Sequence, residues 1–372
     1  SVLTHTMDRF GQGSLTNLAQ DCPTTHSIEP TGPDDIAVIV YTSGTTGLPK
    51  GAMISHNNLI SNAQTLTSAW GWNQADVMLH TLPIFHVHGL FVGLHLPLLT
   101  GSAMIFQPSF DAATVRTALA HATVFMGVPT YYTRLLRQGI HQKDCEGMRL
   151  FISGSAPLLA QTFQDWEETT GTVILERYGM SETGMNTANP LDGERKPGTV
   201  GPPLPGVECL VVNDAGDVLP AGETGHLWVR GPNVFQGYWQ NEEKTAESFT
   251  PDGYFKTGDL AVIDDEGYIS IVGRSKDLII TGGLNVYPKE IELVLDAIDG
   301  VMESAVIGLP HPDFGESVCA VIVPLAEVDL TAEFIFDQIK PRLANFKTPK
   351  KIFFLRNLPR NTMGKVQKNQ LR

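Results

Sequence analysis

The stretch ERYGMSETG (176–184) holds four side chains suited to catalysis: Arg177, Tyr178, Ser181 and Glu182. They can bind an anion, stack on a planar ring, donate a hydroxyl hydrogen bond and ligate a metal ion. The apolar run TVIL precedes them, so Arg177 lies where a buried strand ends. A cation there costs several kcal/mol unless an anion meets it. The stretch therefore predicts a site for an anionic substrate, and the alternative is an ion pair of Arg177 with Glu176 or another internal acid.

The loop YTSGTTGLPKG (41–51) is a second candidate, suited to phosphate. Its glycines would let backbone N–H groups approach an anion, its hydroxyls would add donors, and Lys50 would add charge. We expect it to follow a buried strand and to precede a helix whose positive end contributes to the site. It is not a Walker A loop, because Leu and Pro separate Gly47 from Lys50. Taken alone, it could equally be a mobile surface turn.

The elements before residue 198 alternate between short apolar strands and helices. Strands are predicted in VMLHTLP, SAMIFQP, ATVFMGVP, MRLFISGSAP and TVILERYG, each of which ends in Gly or Pro. This alternation predicts a largely parallel sheet with both faces covered. Ligands collect at the carboxyl ends of the strands in such sheets, and the candidate residues stand at these ends.

The pattern changes from about residue 198, where strands and the turns DAGD and AGETG occur without a helix. This predicts a small, mostly antiparallel sheet. Strands and helices alternate again after Arg274, and the polar GRSKDLI is typical of a hinge. We therefore predict an α/β chain with a large N-terminal domain (1–273) of mostly parallel sheets and a small antiparallel β-subdomain. A small, mobile α+β C-terminal lid domain (274–372) follows.

Composition excludes some function classes. The 26 basic and 40 acidic residues give a net charge of −14, which disfavours binding to nucleic acid or an anionic membrane. Local basic sites could still bind anionic small molecules. The cysteines lack metal-ligand spacing and are interpreted as reduced thiols: Cys22, Cys145, Cys209 and Cys319. No apolar run approaches the roughly 20 residues of a membrane span, and the first residues do not read as a signal peptide, so we expect a cytoplasmic location.

Five motifs occur in order along the chain: YTSGTTGLPKG, YGMSETG, YFKTGDL, GRSKDLIITGGLNVYPKEIE and PRNTMGKVQK. Together they resemble the signature motifs of the acyl-adenylate-forming superfamily, which includes acyl-CoA synthetases, nonribosomal-peptide adenylation domains and firefly luciferase. The resemblance runs from about residue 35 to the end. In outline, RLFISGSAPL, ERYGMSETGMNT and LPRNTMGKVQKN are most similar to malonyl-CoA synthetases.

The resemblance implies a reaction in two halves. A carboxylate attacks the α-phosphate of ATP to give an acyl-AMP and pyrophosphate, and the thiol of coenzyme A then displaces AMP. The first half brings anions together, so positive charge and Mg²⁺ are needed. The implied catalytic residues are Lys365, which would stabilise charge as the P–O bond forms, Ser181 at the α-phosphate, and Glu182 as the metal ligand.

ATP binding falls, by the same resemblance, to Ser43, Gly44, Thr45, Thr46, Gly47, Lys50, Gly154, Ser155, Ala156, Tyr178, Asp259 and Arg274. Tyr178 would stack on adenine, with residues 154–156 completing the slot. Asp259 would accept hydrogen bonds from both ribose hydroxyls, and Arg274 would support the ribose. Taken alone, Asp259 would more often be a turn residue, Glu182 a solvated side chain and Lys365 part of an exposed basic segment. The joint order of the motifs favours the functional roles.

The C-terminal domain is implied to rotate between the two halves of the reaction, about Lys276. Rotation would withdraw Lys365 and bring Gly282 and Gly283 to the site, where glycines suit a narrow channel for the pantetheine arm of CoA. A tight turn is the simpler interpretation of the two glycines, and both can hold.

The acid is suggested by Arg177, with His86 and His88 of PIFHVHGL expected to face the same region. A long fatty acid would find this polar pocket unfavourable, whereas a short diacid could pair its second carboxylate with Arg177. Malonate is therefore the expected substrate. Methylmalonate is a second possibility, because one methyl group discriminates by only about 1–3 kcal/mol. The two histidines could equally be hydrogen-bonded core residues.

Three other functional classes are alternatives to this prediction. An adenylation domain for another small acid would deliver it to CoA or to a separate carrier protein. A non-catalytic relative is disfavoured because Lys50, Glu182, Asp259 and Lys365 are all present, and a luciferase-like oxygenase is disfavoured by the cationic pocket. Family members carry a substantial segment before the phosphate loop, and the chain is expected to lack it.

Overall fold

The computed structural model describes residues 4–8, 10–23, 27–42, 49–325, 328–361 and 365–372. The predictions for Ser43, Gly44, Thr45, Thr46 and Gly47 therefore lie outside the described residues. The chain divides into two compact units, residues 1–35 and 36–372. The described part of the first unit contains the helix α1 (Ser14–Gln20), which has no buried residue. This agrees with the polar, turn-rich sequence of that segment.

The second unit begins with elements that alternate along the chain. They are β1 (Ile36–Thr42), β2 (Lys50–Ser55), α2 (His56–Ala69), β3 (Val77–His80), α3 (Leu94–Thr100), β4 (Ala103–Phe106), α4 (Ala112–Ala118), β5 (Val124–Gly127), α5 (Pro129–Arg137), β6 (Leu150–Ser153), α6 (Ala160–Thr170), β7 (Ile174–Met180) and β8 (Gly184–Ala188). A π-helical segment, His88–Gly93, leads into α3.

Six of these strands form one sheet in the order β4-β3-β5-β6-β7-β8. All pairs are parallel except the last, in which β8 runs antiparallel to β7. Alternate residues enter separate cores on the two faces: Met126 and Ile152 pack in one, and Phe125 and Phe151 in the other. Both faces are covered, so near-continuous apolar strands result. The predicted parallel sheet is confirmed.

The segment around the phosphate loop differs from the prediction. β1 and β2 pair antiparallel, with Thr42 opposite Lys50, so the loop between them joins two strands. Helix α2 begins only at His56, where Ser55 and Asn58 form a capping box. The expectation that the loop leads directly into a helix is wrong, because the short apolar run KGAMIS forms an intervening strand.

An antiparallel region follows, as predicted. It consists of β9 (Glu208–Val212), β10 (Gly225–Arg230), β11 (Gly237–Tyr238), α7 (Glu242–Ser248), β12 (Phe255–Ile263) and β13 (Ile269–Arg274). Four strands form an antiparallel sheet in the order β13-β12-β10-β9, while β11 joins β2 and β1 in a three-stranded sheet. This small sheet couples the antiparallel region to the strand that carries Lys50.

The C-terminal part is a compact α+β arrangement. It consists of β14 (Ile279–Thr281), β15 (Leu284–Val286), α8 (Pro288–Asp296), β16 (Val301–His311), β17 (Gly315–Pro324), α9 (Ala332–Ile339) and β18 (Lys351–Phe354). The sheet runs β15-β14-β17-β16, and β18 pairs parallel with β17. The run AEFIFDQIKPRLANF (332–346) predicts one helix, but α9 ends at Ile339, before Pro341, which cannot continue a helix.

The α/β class, with a large N-terminal and a small C-terminal part, is confirmed. The boundary between residues 273 and 274 stays a prediction, as does the mobility of the C-terminal part. None of the helices in the described residues is long and apolar enough to cross a membrane.

Candidate active site

Arg177 is buried on β7, with only 3% of its surface exposed. Its guanidinium packs directly on Gly154, where an added Cβ would lie 2.4 Å from the Arg177 Cζ. Within the described part of the chain no carboxylate pairs with Arg177, and its Nε and Nη2 have no hydrogen-bond partner. Burial lowers the pKa of Arg177 to about 9, an effect opposed by Tyr132. The arginine thus remains a cation at neutral pH and is available to an anion.

Glu176 is not the partner of Arg177, although it is the adjacent residue. Neighbouring residues of a strand point to opposite faces of a sheet, and the Glu176 carboxylate instead accepts a long hydrogen bond of 3.4 Å from the Gly198 N–H. Burial raises the pKa of Glu176 to about 8. The alternative, an ion pair between Arg177 and Glu176, is therefore wrong for the described structure.

His86 and His88 lie near Arg177, as predicted. The ring Nδ1 of His88 is 3.1 Å from the Ser155 hydroxyl, and the His88 backbone N–H donates to the His86 ring Nδ1 at 3.1 Å. Burial, followed by the charges of Lys365 and Arg177, lowers the pKa of His86 to about 4. Burial also lowers the pKa of His88, whose Nε2 has no partner among the described residues. Both histidines are thus neutral at pH 7.

Ser155 connects these histidines to the end of β6. Its φ angle of 69° is uncommon for a residue other than glycine, and its hydroxyl bonds to His88. Such strain is held only where the surroundings enforce it and is found at functional sites. Gly154 and the half-buried Ala156 flank Ser155. The contact of Gly154 with Arg177 is a second role for a glycine that was predicted only to line the adenine slot.

Asp259 is the centre of a second cluster, on β12. It lies opposite Arg274 of β13, whose Nε is 2.7 Å from the Asp259 Oδ1. The Tyr178 hydroxyl donates to the other carboxylate oxygen, Oδ2. The backbone N–H of Asp259 donates to the Thr257 hydroxyl at 3.0 Å. Burial raises the pKa of Asp259 and Arg274 opposes that rise, so a buried carboxylate is held with both of its oxygens engaged.

Glu182 lies in the turn between β7 and β8. Its Oε1 accepts a hydrogen bond of 3.1 Å from the Tyr238 hydroxyl, and its backbone carbonyl accepts one of 2.8 Å from the Phe235 N–H. Lys50 Nζ lies 5.5 Å from the centre of the Tyr238 ring. Burial raises the pKa of Glu182 and lowers that of Lys50. The negative charge of Glu182 partly offsets the fall in the pKa of Lys50, and Tyr238 contacts both side chains.

Buried asparagines fix the turn that carries Ser181 and Glu182. Asn62 exchanges two hydrogen bonds with the backbone of Met185, at 2.9 and 3.0 Å. Asn233 donates to the Thr183 carbonyl at 2.7 Å. Ser181 lines a cavity whose other walls come largely from α2 and from the π-helical segment. The turn is thus held by side chains from α2 and from the segment before β11.

Lys365 reaches the same region from the C-terminal part. Its backbone N–H donates to the Asn361 side chain at 2.9 Å. Burial lowers the pKa of Lys365, and the charges that act on it belong to Arg274, Asp259, Arg177 and Glu182. The structure thus brings Lys365 into one electrostatic environment with ionisable residues from two other segments of the sequence, 177–182 and 259–274.

Gly282 and Gly283 form the two-residue turn of the β14–β15 hairpin, with φ angles of 56° and 78°. Glycine suits this turn because both positions need positive φ. The tight-turn interpretation is therefore confirmed, and the role in a pantetheine channel stays a prediction. Lys276 lies in the short 3₁₀ helix Ser275–Asp277, directly after Arg274, and its role as a hinge likewise stays a prediction.

Comparison with known proteins places the chain in a family. The family model of the AMP-binding enzymes matches residues 2–239, and the model of the AMP-binding enzyme C-terminal domain matches residues 290–365. The chain belongs to the AMP-binding enzyme family. Two matches in succession over these ranges agree with the large N-terminal and small C-terminal parts of the fold.

Relatives within the AMP-binding enzyme family include CoA ligases. A probable CoA ligase of Humulus lupulus is 42% identical over 369 residues, which cover 90% of this chain and 61% of the relative. A malonate–CoA ligase of Arabidopsis thaliana is 41% identical over 372 residues, or 91% of this chain and 60% of the relative. The chain thus spans about three fifths of the length of these curated relatives.

Solved structures of the family include MatB from Rhodopseudomonas palustris. The ATP-bound form superposes with a TM-score of 0.96 at 53% identity, covering 99% of this chain and 74% of that one. The apo form of the same protein, with the same coverage, gives a TM-score of 0.81. The AMP-binding enzyme described here therefore resembles the nucleotide-bound arrangement more than the apo arrangement.

The sequence did not indicate Tyr238, whose hydroxyl and ring contact two predicted site residues. It lies in FQGYW, a segment assigned only to the antiparallel region. No motif spacing marks it, because its position depends on the pairing of the two-residue strand β11 with β2. Thr257, which holds the backbone of Asp259, lies in the motif YFKTGDL but was likewise not predicted as a site residue.

Proposed function

We propose that the protein joins malonate to coenzyme A at the expense of ATP, through a malonyl-adenylate, with release of pyrophosphate and AMP. The observation that carries this proposal is the burial of the Arg177 guanidinium without a carboxylate partner in the described residues. A buried cation without an acidic partner is costly, and its Nε and Nη2 lack partners within the described residues. The second carboxylate of a short diacid would supply the missing acceptors in a bidentate pair.

The neighbours of Arg177 support a small, polar acid. His86 and His88 are neutral and polar, and Gly154 leaves room for the guanidinium. The charge of Lys365 helps to lower the pKa of His86, and the charge of Arg177 helps to lower the pKa of Lys365, so the three side chains share one region. A diacid bound by Arg177 would therefore present its other carboxylate towards Lys365. A long apolar chain would bury the same cation without an acceptor.

In the first half-reaction, we propose that an oxygen of the malonate carboxylate attacks the α-phosphorus of ATP. The bond from that phosphorus to the bridging oxygen breaks, and its electron pair leaves with pyrophosphate. Lys365 would stabilise the negative charge that develops in this step, and Ser181 would contact the α-phosphate. Asp259 would bind the ribose hydroxyls, supported by Arg274, while Tyr178 stacks on adenine beside residues 154–156.

A magnesium ion fits the residues present. Glu182 offers a buried carboxylate, and Mg²⁺ is commonly held by one or two carboxylates together with substrate phosphates. The described residues contain no group of three or more His, Cys, Asp or Glu side chains that could hold a metal ion unaided. When bound, the ion would neutralise phosphate charge. Lys50, with the 43–47 loop, would bind the β- and γ-phosphates.

In the second half-reaction, the sulfur of CoA would attack the malonyl carbonyl carbon. The thiol proton passes to solvent, the C–S bond forms, the C–O bond to AMP breaks, and AMP leaves with the electron pair. We propose that the part after Arg274 rotates about Lys276 between the two halves, which would replace Lys365 with the Gly282–Gly283 turn. The greater similarity to ATP-bound than to apo MatB supports an arrangement suited to adenylation.

The names of two relatives support the same substrate class, whereas a relative in Bacillus subtilis, 36% identical, is named as a long-chain-fatty-acid–CoA ligase. The Arabidopsis thaliana relative is named as a malonate–CoA ligase, and a relative in Cupriavidus necator, 35% identical, is named as a sulfoacetate–CoA ligase. Both names denote a small acid with a second anionic group. Methylmalonate, or delivery of another small acid to CoA or to a carrier protein, remains the alternative. A cytoplasmic location stays part of the proposal, although the malonate–CoA ligase relatives in Mus musculus, Xenopus laevis, Bos taurus and Homo sapiens are named as mitochondrial.

Pyrophosphate release with a panel of acids tests the proposal. Malonate, methylmalonate, acetate, propionate and octanoate are compared with and without CoA, and the products are identified by mass. We expect malonate to be strongly preferred over acetate, propionate and octanoate, with malonyl-CoA formed only when CoA is present. Comparable rates for acetate and malonate would refute the diacid assignment.

A further inference from the structure

Tyr238 lies between two side chains that the proposed mechanism uses. Its hydroxyl donates to the Glu182 carboxylate at 3.1 Å. The Lys50 ammonium lies 5.5 Å from its ring centre, within the range of a cation–π contact. A single side chain thus contacts the proposed metal ligand with its polar end and the proposed phosphate-binding lysine with its face.

Tyr238 is itself held firmly. It is 8% exposed, and β11 pairs with β2 so that Tyr238 lies opposite Ala52. Its backbone N–H donates to the Thr245 hydroxyl at 2.9 Å. Its ring packs edge-on against Phe235 at 4.9 Å between centres, and Phe235 donates its own N–H to the Glu182 carbonyl. The tyrosine and the turn of Glu182 are therefore parts of one packed unit.

The environment of Glu182 explains why such a contact matters. A ligating carboxylate must be held in the orientation that the metal ion requires, and hydrogen bonds from neighbouring side chains supply that orientation. The hydroxyl of Tyr238 restricts the carboxylate to one orientation. On the other side, the ring restricts Lys50, a flexible side chain with large rotamer entropy. Both effects act before substrate arrives.

We infer that Tyr238 is a positioning residue for the nucleotide half-reaction, which orients Glu182 for Mg²⁺ through its hydroxyl and Lys50 for the phosphates through its ring. This inference rests on the proposed function only in that the site binds Mg·ATP. It is independent of which acid is used. The two contacts can be separated, because phenylalanine keeps the ring and removes the hydroxyl, whereas leucine removes both.

The chain offers a matched control in Tyr254. Its hydroxyl also donates to a carboxylate, Glu208 at 2.8 Å, and a cation, Arg230, lies 4.4 Å from its ring centre. It is 6% exposed, close to the 8% of Tyr238. Tyr254→Phe therefore removes a tyrosine–carboxylate hydrogen bond from a ring of similar exposure, among residues that have no proposed role in catalysis. The acceptors differ, because Glu208 is exposed and Glu182 is buried.

The test measures ATP binding by calorimetry over a series of Mg²⁺ concentrations, without malonate or CoA. Tyr238→Phe should raise about ten-fold the Mg²⁺ concentration at which ATP binding is half-maximally strengthened, because a hydrogen bond to a charged group is lost. The affinity for ATP without Mg²⁺ should stay within about two-fold of wild type. Tyr238→Leu should in addition weaken Mg²⁺-free ATP binding. Tyr254→Phe should change neither value by more than about two-fold.

The outcomes separate this inference from the proposed function. Equal Mg²⁺ dependence in Tyr238→Phe and Tyr254→Phe would overturn the inference, even if the protein turns over malonate. The expected Mg²⁺ shift in a protein that ignores malonate would support the inference and refute the proposed substrate. A wild-type protein that binds no Mg·ATP would overturn the inference as well.

Discussion

Replacement of Arg177 by methionine tests both the cost of the buried cation and its proposed use. Methionine is apolar, unbranched and similar in length, so it can occupy the space beside Gly154 without a charge. Without substrate, the change removes a desolvated cation that has no ion-pair partner in the described residues. Apolar replacement of buried ionic groups is often neutral or stabilising, by about 1–4 kcal/mol. We therefore expect the free energy of unfolding in urea to rise or stay unchanged.

The effect on malonate should be opposite in sign. The lost pair between Arg177 and the distal carboxylate is worth about 3 kcal/mol, which corresponds to a fall of roughly 10²-fold in kcat/KM for malonate. Propionate replaces that carboxylate with a methyl group, so its kcat/KM should rise or stay unchanged in Arg177→Met. The assay is pyrophosphate release with each acid, together with ATP binding, which should not change.

Arg195→Met is the matched control, because the Arg195 guanidinium is half-buried but donates to the carbonyls of Pro190, Val173 and Leu191. Its loss should lower the free energy of unfolding and leave the ratio of malonate to propionate unchanged. If Arg177→Met behaves in the same way, Arg177 is structural. An equal loss of both acids would also refute its role in acid choice.

Three further changes test other parts of the site. Lys365→Ala should lower malonyl-adenylate formation at least about 10²-fold yet spare thioester formation from synthetic malonyl-adenylate; the exposed Lys340→Ala is the control, and equal loss in both halves would contradict the proposed rotation. Gly154→Ala should raise the KM for malonate about ten-fold or more, since its Cβ would meet the Arg177 guanidinium, whereas Gly147→Ala meets only an ordinary contact of 3.5 Å; similar kinetics in the two variants would contradict this. The pKa of Glu176 is raised to about 8 in the folded state, so the stability it contributes is complete below its unfolded pKa and is lost as pH rises through 8. Glu176→Gln should therefore remove that part of the loss, about 4 kcal/mol in urea unfolding between pH 5 and 9, and an unchanged pH profile would contradict it.

Much of the large sheet was predictable from short-range patterns. Apolar runs of four to eight residues that end in Gly or Pro mark the strands, and their alternation with helices requires parallel pairing. The carboxyl ends of parallel strands meet at one edge, which is why His86 after β3, Ser155 after β6 and Arg177 on β7 lie close together. This reasoning needs no knowledge of which strands are neighbours.

Features that depend on long-range pairing were not predictable. β2 was missed because KGAMIS is a short apolar run beside a capping box, and β11 has only two residues. The π-helical turn His88–Gly93 does not follow the 3.6-residue period on which helix prediction rests. Tyr238 reaches the site only because β11 pairs with β2. The residues next to it in the sequence therefore did not indicate that it contacts Glu182 and Lys50.

Register, once known, explains the contacts that composition could not. β6 pairs with β7 so that Ser153 lies beside Glu176, and the next position along places Gly154 beside Arg177. A parallel neighbour with any side chain there would occupy the space of the guanidinium, which explains why a glycine is found at that position. The same logic holds on the antiparallel sheet, where Asp259 lies opposite Arg274 and the two side chains pair across the strands. Two strand registers thus leave Arg177 without a carboxylate partner in the described residues and pair Arg274 with Asp259. This difference supports the proposed roles of Arg177 at the acid and of Arg274 at the ribose.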